Sequence, residues 1–336
     1  MEAASSTIRY TWLEAMTRLR CALLDDYQRV ALSMADWGSL ADRVDVVPFH
    51  ERLATENDVV RGIGDCELVV AMRERTPFPS TLLSRLPQLR LLVSTGTRNA
   101  AIDVASAQGR GITVCHTSSR PEPPAELAWA LILGLVKHVV PEHAAFASGG
   151  PWQHTVGADL QGQRLGLLGL GTIGQRVARV GLAFDMDVVA WSQNLTPERA
   201  AAVGVRLAAS KEELLESSDI VSIHLVLSSR TRGLLGRNEL RLMRPTAYLV
   251  NTSRGPIVDE AALIEALAAG WIAGAGLDVF DEEPVPLDSP LRSLPNVLGT
   301  PHLGYVSQAG YRTYYGEALE DIHAFLDGAP IRVLQA

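Results

Sequence analysis

From Leu19 onward, short runs of apolar residues alternate with longer stretches whose apolar positions recur at helical spacing. The first half carries RCALLDD, VDVVPF, CELVVAM, LRLLVST and ITVCHT; the second carries GLLGLG, VVAW, IVSIHL, AYLVNTS and GAGLDVF. Short apolar runs of this kind fit strands buried on both faces, and the amphipathic stretches between them supply the crossovers that parallel strands require. The pattern predicts an α/β chain with two doubly wound parallel sheets, one in each half.

Near Pro121 the texture changes. PEPPAELAWALILGLVKHVV sets prolines ahead of a long apolar helix, expected over Pro124 to Val140, with Glu126 in a first turn that favours a carboxylate. This reads as the crossover between two domains, which a chain of 336 residues calls for. The last helical pattern, QAGYRTYYGEALEDIHAFLDG, is too short for a domain and is expected to pack back on an existing one. Residues 1–15 are mostly polar and small and precede a second methionine, Met16, so they read as a disordered extension or a misassigned start.

Composition narrows the classes of function. With 47% hydrophobic and 20% charged residues the chain is of ordinary globular make-up. A net charge of −8 and the lack of any Lys/Arg run argue against nucleic acid as a partner, because phosphate binding needs a basic stripe. Cys21, Cys66 and Cys115 are odd in number and lack metal-ligand spacing, which points to a reducing compartment. No metal site is expected, since the histidines show no pattern such as HExxH. No apolar run reaches the ~18 residues that a membrane span needs, so the expected location is cytoplasmic.

One motif carries chemistry by itself. Gly169, Gly171 and Gly174 form GxGxxG directly after an apolar strand and directly before a helix that opens with Thr172 and Ile173. In that context Gly169 allows the tight turn, Gly171 lets the backbone approach a pyrophosphate, and Gly174 lets the helix pack on the strand. This predicts a Rossmann domain that binds a dinucleotide. The next strand, DVVAW, ends in Ser192, Gln193 and Asn194, where a site for NAD usually presents an Asp or Glu to the ribose hydroxyls. With no acid to repel a 2′-phosphate, and with Arg199 nearby, NADP(H) is expected to be tolerated beside NAD(H).

Three further segments, VNTSRGPIVDE, GAGLDVFDEEP and TPHLGY, stand downstream of WQHTVGADLQGQRLGLLGLGTIG. Together and in this order they resemble the signature set of the D-isomer-specific 2-hydroxyacid dehydrogenases, over nearly the whole chain from Leu19. The resemblance implies a flavodoxin-like substrate domain, residues 16–118 with 305–336, a cofactor domain over 119–304, and a cleft between the domains. It also implies a homodimer, with the helix expected over Pro124 to Val140 as a contributor to its interface.

By the same resemblance Arg254 binds the carboxylate and keto oxygen of a small 2-keto or 2-hydroxy acid, as suits a permanently charged guanidinium fork. His302 gives a proton to the carbonyl oxygen in reduction and takes it back in oxidation. Glu283, immediately before Pro284, pairs with His302. Asp278 contacts the nicotinamide carboxamide, or else caps a turn. Thr252 in NTSRG and His224 after IVSI complete the expected cofactor contacts. In the first half, STGTRNAAID resembles the loop whose amides hold the substrate carboxylate, which makes Gly96, Thr97 and Arg98 substrate-binding candidates. Arg98 stands where the family commonly has glycine, and Arg73 and Arg75 are further cations for an acidic substrate.

Two other readings compete. A dinucleotide-sensing protein of the corepressor kind retains similar motifs, and fold alone does not decide between the two. Formate or phosphite oxidation is a weaker enzymatic alternative, because a Glu–His pair suits proton transfer to a carbonyl oxygen.

Overall fold

The computed structural model describes residues 18–335; the expectations for residues 1–15 and for Met16 lie outside the described residues. The chain divides into two compact units, one ending at Ser119 and resuming at Tyr311, the other running from Arg120 to Gly310.

The first unit is built on β1 (Leu19–Leu23), β2 (Val44–Pro48), β3 (Leu68–Ala71), β4 (Leu91–Ser94) and β5 (Thr113–His116). All pair in parallel, in the order β2-β1-β3-β4-β5, which is the flavodoxin-like order expected for this half. The helix Gln308–Leu326 buries Tyr311, Tyr314, Tyr315, Ala318 and Ile322. After it the chain turns back and lies antiparallel to the edge of β5, where Cys115 bridges Val333. Cys115 is fully buried, and burial pushes its thiol up to about 12, which leaves it a core residue.

The second unit holds β6 (Arg164–Leu168), β7 (Asp187–Trp191), β8 (Arg206–Leu207), β9 (Ile220–Ile223), β10 (Tyr248–Asn251), β11 (Gly274–Leu277) and β12 (Val297–Gly299). Their order is β12-β11-β10-β9-β6-β7-β8, a Rossmann sheet extended by one strand, whose direction of winding reverses between β6 and β9. Successive residues on each strand serve opposite faces: Leu168, Val189, Val221 and Leu249 join one hydrophobic core, and Leu167, Val188, Ile220 and Val250 join the other. The strands therefore read as unbroken apolar runs rather than as alternating ones. The sequence pattern missed β8 and β12, which are too short to form such a run.

The helix expected over Pro124 to Val140 is two helices, Glu122–Val136 and Val139–Ser148, bent by 64°. Pro141 is the cause. In a continuous helix its ring would meet the carbonyl of Lys137, and it has no N–H to give. The chain instead breaks at His138, in the left-handed conformation at φ 50°, and the amide of Ala158 takes the Val136 carbonyl at 2.9 Å. The first turn carries Glu122 rather than Glu126, and Glu122 pairs with Arg176 at 2.6 Å. Among the described residues no single helix is long and apolar enough to cross a membrane. This bent pair passes together on length and composition, but its first member buries Leu131, Ile132 and Val136 in the core.

Candidate active site

The register of the second sheet sets out the site. Leu168 is level with Trp191 and with Ile223, Ile223 with Asn251, Asn251 with Leu277, and Leu277 with Gly299. The next residue on each strand is Gly169, Ser192, His224, Thr252, Asp278 and Thr300. Six positions thus form one row at the carboxyl ends of parallel strands, the edge at which open α/β sheets receive ligands.

Gly169 is fixed from within the protein. Its φ is 103°, and a Cβ there would lie 2.5 Å from the carbonyl oxygen of His224. At Gly174 a Cβ would lie 2.2 Å from the Gly169 carbonyl oxygen, so the helix Thr172–Ala183 sits hard against the turn. Gly171 differs, because no described heavy atom lies within 4 Å of a Cβ built there. That helix has no acid in its first turn, and among the described residues no side chain caps it. Its amino-terminal amides, those of Thr172 and Ile173 included, and its positive dipole end therefore suit an anion held over Gly171. The residues present fit a dinucleotide pyrophosphate.

Beside this turn, the ring of His224 lies 2.9 Å from the Ser222 hydroxyl, and burial pushes the imidazole down to about 4, so the ring is neutral. Ser192 is half-buried, Gln193 and Asn194 are exposed, and Arg199 reaches back to the Asn194 carbonyl at 3.4 Å. Thr252 is half-buried directly after β10.

Arg254 follows two residues later, half-buried, with Nη1 donating to the Ser253 carbonyl at 2.7 Å and its own carbonyl held by Asn251 at 2.9 Å. Gly255 permits this placement, since a Cβ there would lie 2.1 Å from the Phe280 carbonyl carbon. The Arg254 turn and the 280–283 turn are consequently in direct backbone contact.

His302 Nδ1 lies 2.6 Å from Glu283 Oε2, and Glu283 Oε1 accepts the Phe280 amide at 2.9 Å. A carboxylate only accepts, so Nδ1 carries the proton and Nε2 is the acceptor of the neutral ring. The His302 ring also meets Tyr305 edge-on, at 5.3 Å between centroids. The backbone of His302 is left-handed, at φ 53°. Asp278 holds it there: Oδ1 accepts from the Thr300 hydroxyl and the Leu303 amide, both at 2.6 Å, and Oδ2 accepts the Gly304 amide at 2.8 Å. Burial pushes the Asp278 carboxyl up, against these donors and His302, which pull it down. Asp278 thus caps the 300–304 turn, as one of its two expected roles requires.

In the first unit the loop after β4 differs from expectation. The Gly96 amide donates to the Thr117 hydroxyl at 2.7 Å and the Thr97 amide to the Ser119 hydroxyl at 3.2 Å, so two of the amides expected to hold an anion already have acceptors. Arg98 is exposed. Arg73 packs under the loop, its Nη1 within 1.6 Å of where a Gly96 Cβ would stand, and Arg75 donates to the Asp25 carbonyl at 2.7 Å and covers the Tyr27 ring.

Residues 129–304 match the family model described as D-isomer specific 2-hydroxyacid dehydrogenase, NAD binding domain. The chain belongs to that family. It is 41% identical over 257 residues to a glyoxylate reductase of Aeropyrum pernix, covering 74% of this chain and 76% of that one. It is 35% identical over 263 residues to a D-3-phosphoglycerate dehydrogenase of Bacillus subtilis, covering 77% of this chain and 50% of that one, so it spans half the length of that relative. The crystal structure of a phosphoglycerate oxidoreductase from Vibrio cholerae superposes with a TM-score of 0.87 at 36% identity, covering 93% of this chain and 100% of that one. The chain is thus an NAD-dependent oxidoreductase of the 2-hydroxyacid dehydrogenase type, with the two parallel-sheet domains of that fold.

Proposed function

We propose that this dehydrogenase interconverts a small 2-keto acid and its D-2-hydroxy acid, with His302 as general acid and base. The observation that carries the assignment is the 2.6 Å contact between His302 Nδ1 and Glu283 Oε2, at the same carboxyl edge of the sheet as a turn suited to a dinucleotide. The bound nicotinamide supplies the hydride in reduction and accepts it in oxidation. His302 Nε2 delivers a proton to the carbonyl oxygen as the alkoxide charge develops, and Glu283 balances the imidazolium charge and holds the ring. Arg254 receives the carboxylate and the keto oxygen through its two-pronged guanidinium. In this reading residues 119–304 form the cofactor domain, residues 16–118 with 305–336 form the substrate domain, and Arg98 contributes the exposed cation on the substrate side.

NADP(H) serves as cofactor at least as well as NAD(H), because Ser192 stands at the ribose-reading end of β7 and brings no charge against a 2′-phosphate. Glyoxylate and hydroxypyruvate are the substrates to try first, glyoxylate being what the relative of Aeropyrum pernix is named for reducing. We further propose a homodimer. Val139, Val140, Phe146, Trp152 and Val156 are all exposed within one short segment, Trp152 at 79% and Phe146 at 69%, with the Phe146 and Trp152 rings 6.4 Å apart, and exposed apolar side chains grouped this way mark an interaction surface. A monomeric mass by light scattering at micromolar concentration would sink that part.

The deciding experiment follows NADH and NADPH consumption separately against glyoxylate, hydroxypyruvate, pyruvate and bulkier keto acids. Turnover with one of them, lost on Arg254→Ala, is the expected result. No turnover with any keto acid, together with tight binding of NADH, revives the dinucleotide-sensing alternative.

A further inference from the structure

The loop that follows β9 brings a cation to the end of β7. Arg230 is exposed, and its Nη1 comes within 3.5 Å of Gln193 Oε1, although the two residues are 37 apart in sequence. On the other side of the same short turn, Arg199 Nη1 lies 3.4 Å from the Asn194 carbonyl. Two guanidinium groups from different elements therefore flank Ser192, Gln193 and Asn194. The sheet order explains the convergence. β6 lies between β7 and β9, so the turns after β7 and β9 stand on either side of the glycine turn that follows β6. Gly169 shows this directly, since its amide donates to the Trp191 carbonyl at 2.9 Å while its Cα faces the His224 carbonyl.

The charge of these two segments is one-sided. Residues 192–199 carry Glu198 as their one acid, and that side chain is turned back on its own turn, where its own backbone amide and the Thr196 hydroxyl pull its carboxyl pKa down. Residues 224–236 carry Arg230 and Arg232 and no acid. A guanidinium at the ribose end of a dinucleotide site is a fork for a phosphate monoester, and a ribose with free hydroxyls offers it no charge to meet.

We propose that Arg230 is the specificity-determining contact for the 2′-phosphate of NADP(H), acting from the β9 loop across the end of β7, with Arg199 as the weaker second cation. The inference rests on the reading that the end of β7 receives the adenosine ribose. Arg199 is the weaker of the two because its side chain is drawn back to its own turn, whereas Arg230 reaches out to the side chain of Gln193.

The test is calorimetric titration of the full chain with 2′,5′-ADP and with 5′-AMP, which differ only by the 2′-phosphate. The wild type is expected to bind 2′,5′-ADP at least about tenfold more tightly, as one charge-assisted contact implies, with a preference that shrinks as salt is raised. Arg230→Ala should bring the two dissociation constants to within about threefold, and Arg230→Lys should keep part of the difference. An unchanged ratio in Arg230→Ala, or a collapse seen only in Arg199→Ala, overturns the assignment while leaving the glycine-turn site standing. A wild type that binds both nucleotides equally overturns the 2′-phosphate reading as well, and one that binds neither overturns the dinucleotide turn on which both rest.

Discussion

Glu283→Gln is the sharpest probe of the proton-transfer pair, because the structure states what a glutamine cannot do. The carboxylate accepts twice, from His302 Nδ1 at 2.6 Å and from the Phe280 amide at 2.9 Å. A carboxamide has one oxygen. If that oxygen stays with His302, the amide nitrogen opposes the Phe280 N–H, and a donor left without an acceptor costs about 1–3 kcal/mol. If the oxygen turns to Phe280, the nitrogen donates to Nδ1, the proton moves to Nε2, and the ring can no longer accept a proton in oxidation. The charge is lost in either arrangement. Two unit charges about 4 Å apart attract by about 4 kcal/mol at an effective dielectric of about 20 and about 1 kcal/mol in water. The His302 and Glu283 side chains are 21% and 34% exposed, between those limits, and a proton in flight gives the ring only part of its charge at the transition state, taken as about half. The charge is then worth about 1–2 kcal/mol. Together the effects slow oxidation of the hydroxy acid roughly a hundredfold. The assay follows NADH formation at saturating cofactor, with a rise in the primary isotope effect of the 2-deuterated hydroxy acid as the sign that the chemical step has slowed. Glu283→Ala, which imposes no tautomer, should be no slower than Glu283→Gln. A glutamine variant within threefold of the wild type, or far faster than the alanine variant, would refute the reasoning.

Three other perturbations follow from the same geometry. Asp278→Asn sets an amide nitrogen against the Gly304 N–H and should lower kcat about 10- to 100-fold, while thermal unfolding loses less than about 3 kcal/mol; a normal kcat would show that the 300–304 turn holds itself. His224 has a folded-state pKa depressed to about 4 from 6.5, so its contribution to stability is present above about pH 6.5 and is lost as pH falls through 4; it amounts to no more than about 3 kcal/mol. Urea titrations between pH 7 and pH 4 should show that part of the acid sensitivity disappear in His224→Asn, and an unaltered slope would count against it. Arg98→Ala should raise KM for keto acids several-fold with kcat nearly unchanged, and an unaltered KM across the substrate panel would remove Arg98 from the substrate site.

Gly169, Ser192, His224, Thr252 and Asp278 each stand directly behind a buried strand, and strands buried on both faces are legible as short hydrophobic blocks, whereas the roles expected of Thr252 and Asp278 come from the family resemblance. The break at His138 was present in the sequence as Pro141, four residues past Lys137, but an apolar run carried across it reads as one helix. Partners distant in sequence left no such mark. Nothing near Gly96 shows that Thr117 and Ser119 will take the amides of its loop, and nothing near Gln193 points to Arg230. β8 and β12 depend on pairing with a neighbour rather than on their own composition, so two or three residues sufficed for them.

The same distinction accounts for the position of His302. A left-handed backbone at a non-glycine residue costs about 1–3 kcal/mol, and within the TPHLGY segment the His302 amide makes one bond, to the Thr300 carbonyl at 3.0 Å. The three donors gathered by Asp278 hold it from outside, since each would be left without its acceptor if the turn relaxed, at about 1–3 kcal/mol for a buried group. Asp278 can gather them because β11 and β12 are paired in a register that sets it directly across from Thr300. The placement of the proposed acid is thus a property of the strand pair and not of the loop that contains it. A change that slips β12 by one residue would carry Thr300 to the opposite face of the sheet and release His302, even with Arg254, Glu283 and His302 all intact.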